Sequence, residues 1–129
     1  MRHEESEWYV RGFRDLLAAR ALMAQDPEEF AEVIVPLCYQ SAGKLLQGLL
    51  NLPYGTVRRM RNLSEVLVVL RAAGIDPASV QSAVELLAEF GGEFPDGTVI
   101  LTPEGARMAI AQTEAILHWV EGQLASEPG

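Results

Sequence analysis

The segment Cys38-Tyr39-Gln40-Ser41-Ala42-Gly43-Lys44-Leu45-Leu46-Gln47-Gly48-Leu49-Leu50 constrains the fold more than any other. Cys38, Ala42, Leu45, Leu46 and Leu49 recur at i, i+4, i+7, i+8 and i+11, the apolar stripe of one helix. The other face is small or neutral polar: Gln40, Ser41, Gly43, Gln47 and Gly48, with Lys44 as its one cation. A glycine inside a helix costs about 1 kcal/mol against alanine. A helix backbone packed close on that side would offset the cost. This helix is therefore expected to be buried on more than one side, against a neighbour from the same chain or a second copy. Self-association is expected.

Around it the chain reads as helices with short punctuated breaks. Ser6 is an N-cap candidate for a first helix to about Ala24, with Trp8, Phe13, Leu16, Leu17 and Leu22 on its apolar face. Asp26-Pro27-Glu28-Glu29 is a strong start signal, with Asp as cap, Pro at the first helical position and Glu at the third. The second helix is expected to run to about Leu52, kinked at Pro36, a break there being the simple alternative. Asn51 to Gly55 read as a loop. Asn62-Leu63-Ser64-Glu65 opens a third helix that stops at Gly74. Asp76-Pro77 starts a shorter fourth, ended by Gly91-Gly92. Glu93 to Leu101 reads as irregular. Thr102-Pro103-Glu104 opens the last helix, with Ala106, Ile110, Ile116, Leu117, Val120 and Leu124 along it. Ser126 to Gly129 reads as a frayed tail. The expected fold is all-α: one domain over 1–129, core about 6–124, an antiparallel up-and-down bundle of about five helices.

Composition narrows the function classes. Hydrophobic residues make up 49% of 129 residues, enough for a packed core. No apolar run reaches the roughly 18 residues of a membrane span. The acidic start Met1-Arg2-His3-Glu4-Glu5 leads into no apolar stretch, so no secretion signal is read and a cytoplasmic location is expected. One cysteine excludes an internal disulfide and a multi-cysteine zinc site. The net charge of −8 argues against non-specific DNA binding. No metal or cofactor is expected.

Four segments together resemble the HEPN family (higher eukaryote and prokaryote nucleotide-binding domain). Trp8 followed by Asp15-Leu16 and Ala19 is similar to the family's opening helix. Tyr39-Gln40-Ser41-Ala42-Gly43-Lys44-Leu45-Leu46 is similar to its Gln-Ala-Ala-Glu-Lys-Ala-Leu-Lys helix, with Gly43 where glutamate is usual. Arg61-Asn62-Leu63 stands where many members have Thr-His-Asp-Leu. Phe90-Gly91-Gly92-Glu93-Phe94-Pro95-Asp96-Gly97 resembles the Arg-Tyr-Pro-Asp turn before the last helix. The likeness spans roughly residues 7 to 124. It implies a helical bundle that often dimerises, and in many members a place beside a small nucleotidyltransferase. Other members are ribonucleases marked by Arg, four to six residues, then His.

That ribonuclease signature is absent. His118 is preceded at 111, 112 and 113 by Ala111, Gln112 and Thr113, and His3 only by Arg2. A metal-independent ribonuclease needs a base for the 2′-hydroxyl and a cation for the developing phosphorane charge. His118, between Glu114 and Glu121, reads as a solvated histidine. Cys38 reads as a buried, inert thiol. Asp15, inside an apolar stretch, is expected to pair with Arg11 or Arg14. Arg58, Arg59 and Arg61 form the one dense basic cluster, just before a helix N-terminus that favours anions. With Lys44, and Arg71 nearby, they are the candidate phosphate-binding residues; a solvated loop is the plain alternative. Gln40, Ser41, Gly43, Gln47 and Gly48 are the candidate dimer or helix-packing residues.

The expected function is a binding module, homodimeric, accessory to a small nucleotidyltransferase or another protein that handles nucleotide or RNA. Neither DNA nor a membrane is an expected partner. The alternatives are a toxin-type ribonuclease using other residues, and a purely structural or antitoxin-like dimer.

Overall fold

Five helices follow the punctuation just described, except that the first begins at His3 and contains Ser6 instead of being capped by it. In the computed structural model, residues 3–50, 62–91 and 101–126 are described, with side chains over 7–50, 62–91 and 101–125. Helix α1 spans His3–Gln25, α2 Pro27–Gly48, α3 Leu63–Ala72, α4 Gln81–Phe90 and α5 Pro103–Ser126. The described residues contain no strand.

The boundaries have local causes. Asp26 alone separates α1 from α2, and its carboxylate accepts the amides of Glu28 and Glu29 at 3.1 and 3.2 Å, ahead of Pro27. The Asn62 side chain accepts the Glu65 amide at 2.8 Å and opens α3. Gly74, at φ 83°, closes it: the Ile75 amide donates to the Leu70 carbonyl and the Gly74 amide to that of Arg71, both at 3.0 Å. The Thr102 hydroxyl accepts the Gly105 amide at 3.0 Å at the start of α5. Asp76-Pro77 first gives a 3-10 turn, Ala78–Val80, which leads into α4.

Helix α2 runs unbroken through Pro36. Proline removes the bond to the carbonyl four residues back, Glu32. Both residues are exposed, so the freed Glu32 carbonyl lies on the outward side of the helix. The helix ends at Gly48, short of the expected Leu52. Leu49 and Leu50 bond back three residues, to Leu46 and Gln47, tightening the chain into a turn where Gly48 weakens the helix.

Helix α2 is the central element and touches α1, α3, α4 and α5. Ile34, Val35, Cys38, Ala42, Leu45 and Leu46 lie on it, fully buried. A one-residue connection between two long, contacting helices forces α1 and α2 antiparallel. Helix α1 is also antiparallel to α5, because Tyr9 meets Glu121 while Arg20, further along, meets Glu114. So α2 and α5 point the same way, on one side of α1. No helix among the described residues is long and apolar enough to cross a membrane.

Candidate functional site

The seam between α1 and α2 gathers the polar residues of the QSAGKLL segment. On α1, Trp8, Gly12, Leu16 and Ala19 recur at helical spacing and face inward. Gly12 is where the two helices come closest. A β-carbon there would lie 2.9 Å from Leu45 Cγ and 3.0 Å from the Ser41 carbonyl oxygen. Directly beside it, the buried Ser41 hydroxyl donates to the Gly12 carbonyl at 2.7 Å. The close backbone approach expected of α2 therefore exists inside the chain, and the glycine that permits it stands on α1.

Ser41, Gln47 and Gly48 are buried within the bundle, and only Gln40 of the five packing candidates is exposed. The first three are thus already covered by this chain rather than left open to a second copy. Gly43 is half-buried; a β-carbon on it would sit 3.5 Å from Leu63 Cδ2, ordinary contact with α3. Gln47 Oε1 is buried without a hydrogen-bond partner among the described residues. Tyr39, next on α2, accepts the Leu63 amide at 3.4 Å, and its ring covers Gly91 so closely that no β-carbon fits there.

One turn beyond Ser41, Lys44 Nζ meets Asp15 Oδ2 at 2.8 Å, with both side chains largely covered. The expected pairing of Asp15 with Arg11 or Arg14 is replaced by this one. The register set by Gly12 brings Lys44 across the seam, whereas Arg11 lies 4.0 Å from Glu7. Lys44 is neutralised there. Arg71 hydrogen-bonds Gln81 on α4. Arg58, Arg59 and Arg61, and the Phe94-Pro95-Asp96-Gly97 turn, lie outside the described residues.

The second seam, between α1 and α5, has an open end. The Tyr9 hydroxyl donates to Glu121 Oε2 at 2.7 Å, and Tyr9 stacks on Phe13 with ring centroids 6.1 Å apart. Burial, and then the hydrogen bond and charge of Glu121, push the Tyr9 phenol up to about 12. Tyr9, Glu121, Leu124 and Ala125 line a shallow open pocket here. His118 Nδ1 lies 3.5 Å from Glu121 Oε1 and its side chain is 74% exposed, as a solvated histidine should be. Further along, Arg20 pairs with Glu114 at 2.6 Å.

Among the described residues, none along these seams is arranged as a nucleophile with a base. Ser41 is turned into a backbone carbonyl. Cys38 is fully buried, and burial pushes its thiol up to about 11, so it carries almost no thiolate near neutral pH. Thr113, also buried, donates to the Ala109 carbonyl at 2.7 Å. No group of three metal-ligating side chains exists among the described residues.

The residues missed from sequence are those paired across long separations: Gly12 with Ser41, Tyr9 with Glu121 and Arg20 with Glu114. Gly12 carried a usable signal, a glycine on the buried stripe of an otherwise good helix.

No curated protein and no solved structure matches the chain. The model of the HEPN domain matches residues 5–123, which takes in α2, α3 and α4 and nearly all of α1 and α5. The chain belongs to the HEPN family.

Proposed function

We propose that this chain is a non-catalytic HEPN module that works as a homodimer and as the accessory partner of a small nucleotidyltransferase or another protein handling nucleotide or RNA. Membership of the family over residues 5–123 carries this reading and supplies the link to nucleotides. The missing Arg-to-His signature and the buried, unreactive Cys38 favour binding over cleavage. Phosphate recognition falls to Arg58, Arg59 and Arg61, since Lys44 is held by Asp15.

Titration of labelled ATP and of a short RNA against wild type and an R58A/R59A/R61A variant, at two salt concentrations, tests the reading. Wild-type binding should weaken with salt and vanish in a variant that remains folded. Equal binding by both proteins, or none by either, removes the arginine cluster as a site. RNA cleavage that co-purifies with the protein overturns the non-catalytic assignment.

A further inference from the structure

Three segments that are far apart in the chain meet at the Tyr39 side chain. Tyr39 stands on α2, Leu63 is the first residue of α3, and Gly91 follows the last residue of α4. The tyrosine hydroxyl accepts the Leu63 amide at 3.4 Å. A β-carbon on Gly91 would overlap the Cδ2 and Cε2 edge of the tyrosine ring. Gly91 has φ −78° and ψ 0°, a conformation that most residues adopt in turns. The ring therefore requires the glycine, and the backbone does not.

The start of α3 is held from two directions. Asn62 caps it through the Glu65 amide at 2.8 Å, and Tyr39 meets its first amide from α2. Arg61 directly precedes Asn62 in sequence. A side chain is no better placed for a ligand than the backbone that carries it. Loss of the Tyr39 contact therefore loosens the end of α3 two residues from Arg61, while the Asn62 cap keeps the helix itself intact. Ser41, on the α1 side of the same helix α2, bonds Gly12 and provides a control of comparable size.

We infer that Tyr39 is a positioning residue for RNA phosphate recognition, its ring seated on Gly91 and its hydroxyl fixing the start of α3 next to Arg61. This rests on the arginine-cluster reading above and adds to it a residue that touches no phosphate. Tyr39 acts through the backbone of α3.

Titration of a short labelled single-stranded RNA against the full chain and its Y39F, G91A and S41A variants, over a series of salt concentrations, tests it. Circular dichroism at the titration temperature establishes that each variant is folded. Y39F keeps the ring on Gly91 and loses only the hydroxyl. Its RNA affinity should fall about 3- to 10-fold. The slope of log affinity against log salt should become shallower by about 0.7, one phosphate contact on a single strand. G91A displaces the ring as well, and should lose about 10-fold or more. S41A should keep the wild-type affinity and slope.

The slope separates positioning from stability, because a folded protein that has only become less stable keeps its number of phosphate contacts. Y39F decides the question even where G91A does not fold. A wild-type slope in Y39F, or a loss in S41A equal to that in Y39F, overturns the positioning role and leaves the arginine cluster standing. A wild type that does not bind the RNA also overturns it. A wild type that binds neither this RNA nor ATP overturns the arginine reading as well.

Discussion

The polar face of α2 and the outer face of α5 are built from similar residues and meet opposite fates. Each carries glycine, small side chains and a single cation-capable residue, Lys44 or His118. The α2 face is closed from within: Ser41 bonds the Gly12 carbonyl, Lys44 crosses to Asp15, and Gln47 and Gly48 are buried. On α5, Met108, Ala111, Ala115, His118, Gly122 and Ala125 are exposed, and the His118 ring lies 3.5 Å from Glu121. The partner of a small-residue stripe is therefore decided by what stands opposite, not by the stripe. A β-carbon at Gly12 would meet Leu45 and the Ser41 carbonyl, whereas one at Gly122 would meet nothing within 4 Å.

The largest expected effect tests the core on which both faces rest. Leu46 is fully buried on the central helix, and Leu46→Ala should cost about 2–5 kcal/mol in urea unfolding. A cost below about 1 kcal/mol would mean that the stripe is not packed as described.

The two glycines give the sharpest contrast. Gly12→Val forces a branched side chain against Leu45 and the Ser41 carbonyl, and should destabilise by about 1–3 kcal/mol. Gly122→Ala enters open space and should gain about 0.5–1 kcal/mol from helix propensity alone. Thermal melts of the two variants shifting in the same direction would break the comparison.

Ser41→Ala removes one buried hydrogen bond between helices and should cost about 0.5–1.5 kcal/mol. His118→Ala is the smallest change. Its exposed side chain should contribute less than about 0.5 kcal/mol, measured at a concentration where the chain is monomeric. Equal losses from the two would contradict the assignment of one face as inner and the other as outer.

Much of this was legible in the sequence, for local reasons. Asp26-Pro27, Asn62 and Thr102 announce helix starts because a cap needs only its own next turn. Apolar spacing placed Cys38, Leu45 and Leu46 in the core, since a stripe of that width has to be covered. The partner of Asp15 was misassigned because Arg11 and Arg14 are close in sequence, while Lys44 comes near only through the helix register. The pairing of α2 with α5 in the same direction also escaped. Short connections dictate the direction of consecutive helices and say nothing about helices 54 residues apart in the chain, counted from Gly48 to Thr102. Nothing local marks Thr113 as buried, because its hydroxyl is satisfied inside its own helix by the Ala109 carbonyl.

The single-residue joint at Asp26 also bears on how the chain acquires its shape. Helices α1 and α2 meet by reversing direction over one residue, so their contacts close the shortest loops in the molecule and lose the least chain entropy. Helix α5 returns to the same hairpin only after both intervening helices have been made. During synthesis the hairpin emerges complete while α5 is still unborn. Substitutions at Gly12 or Ser41 should therefore slow refolding in stopped-flow experiments, whereas substitutions in the inward face of α5 should mainly hasten unfolding. The joint makes the first half of this protein its template, and the last helix the piece that seals it.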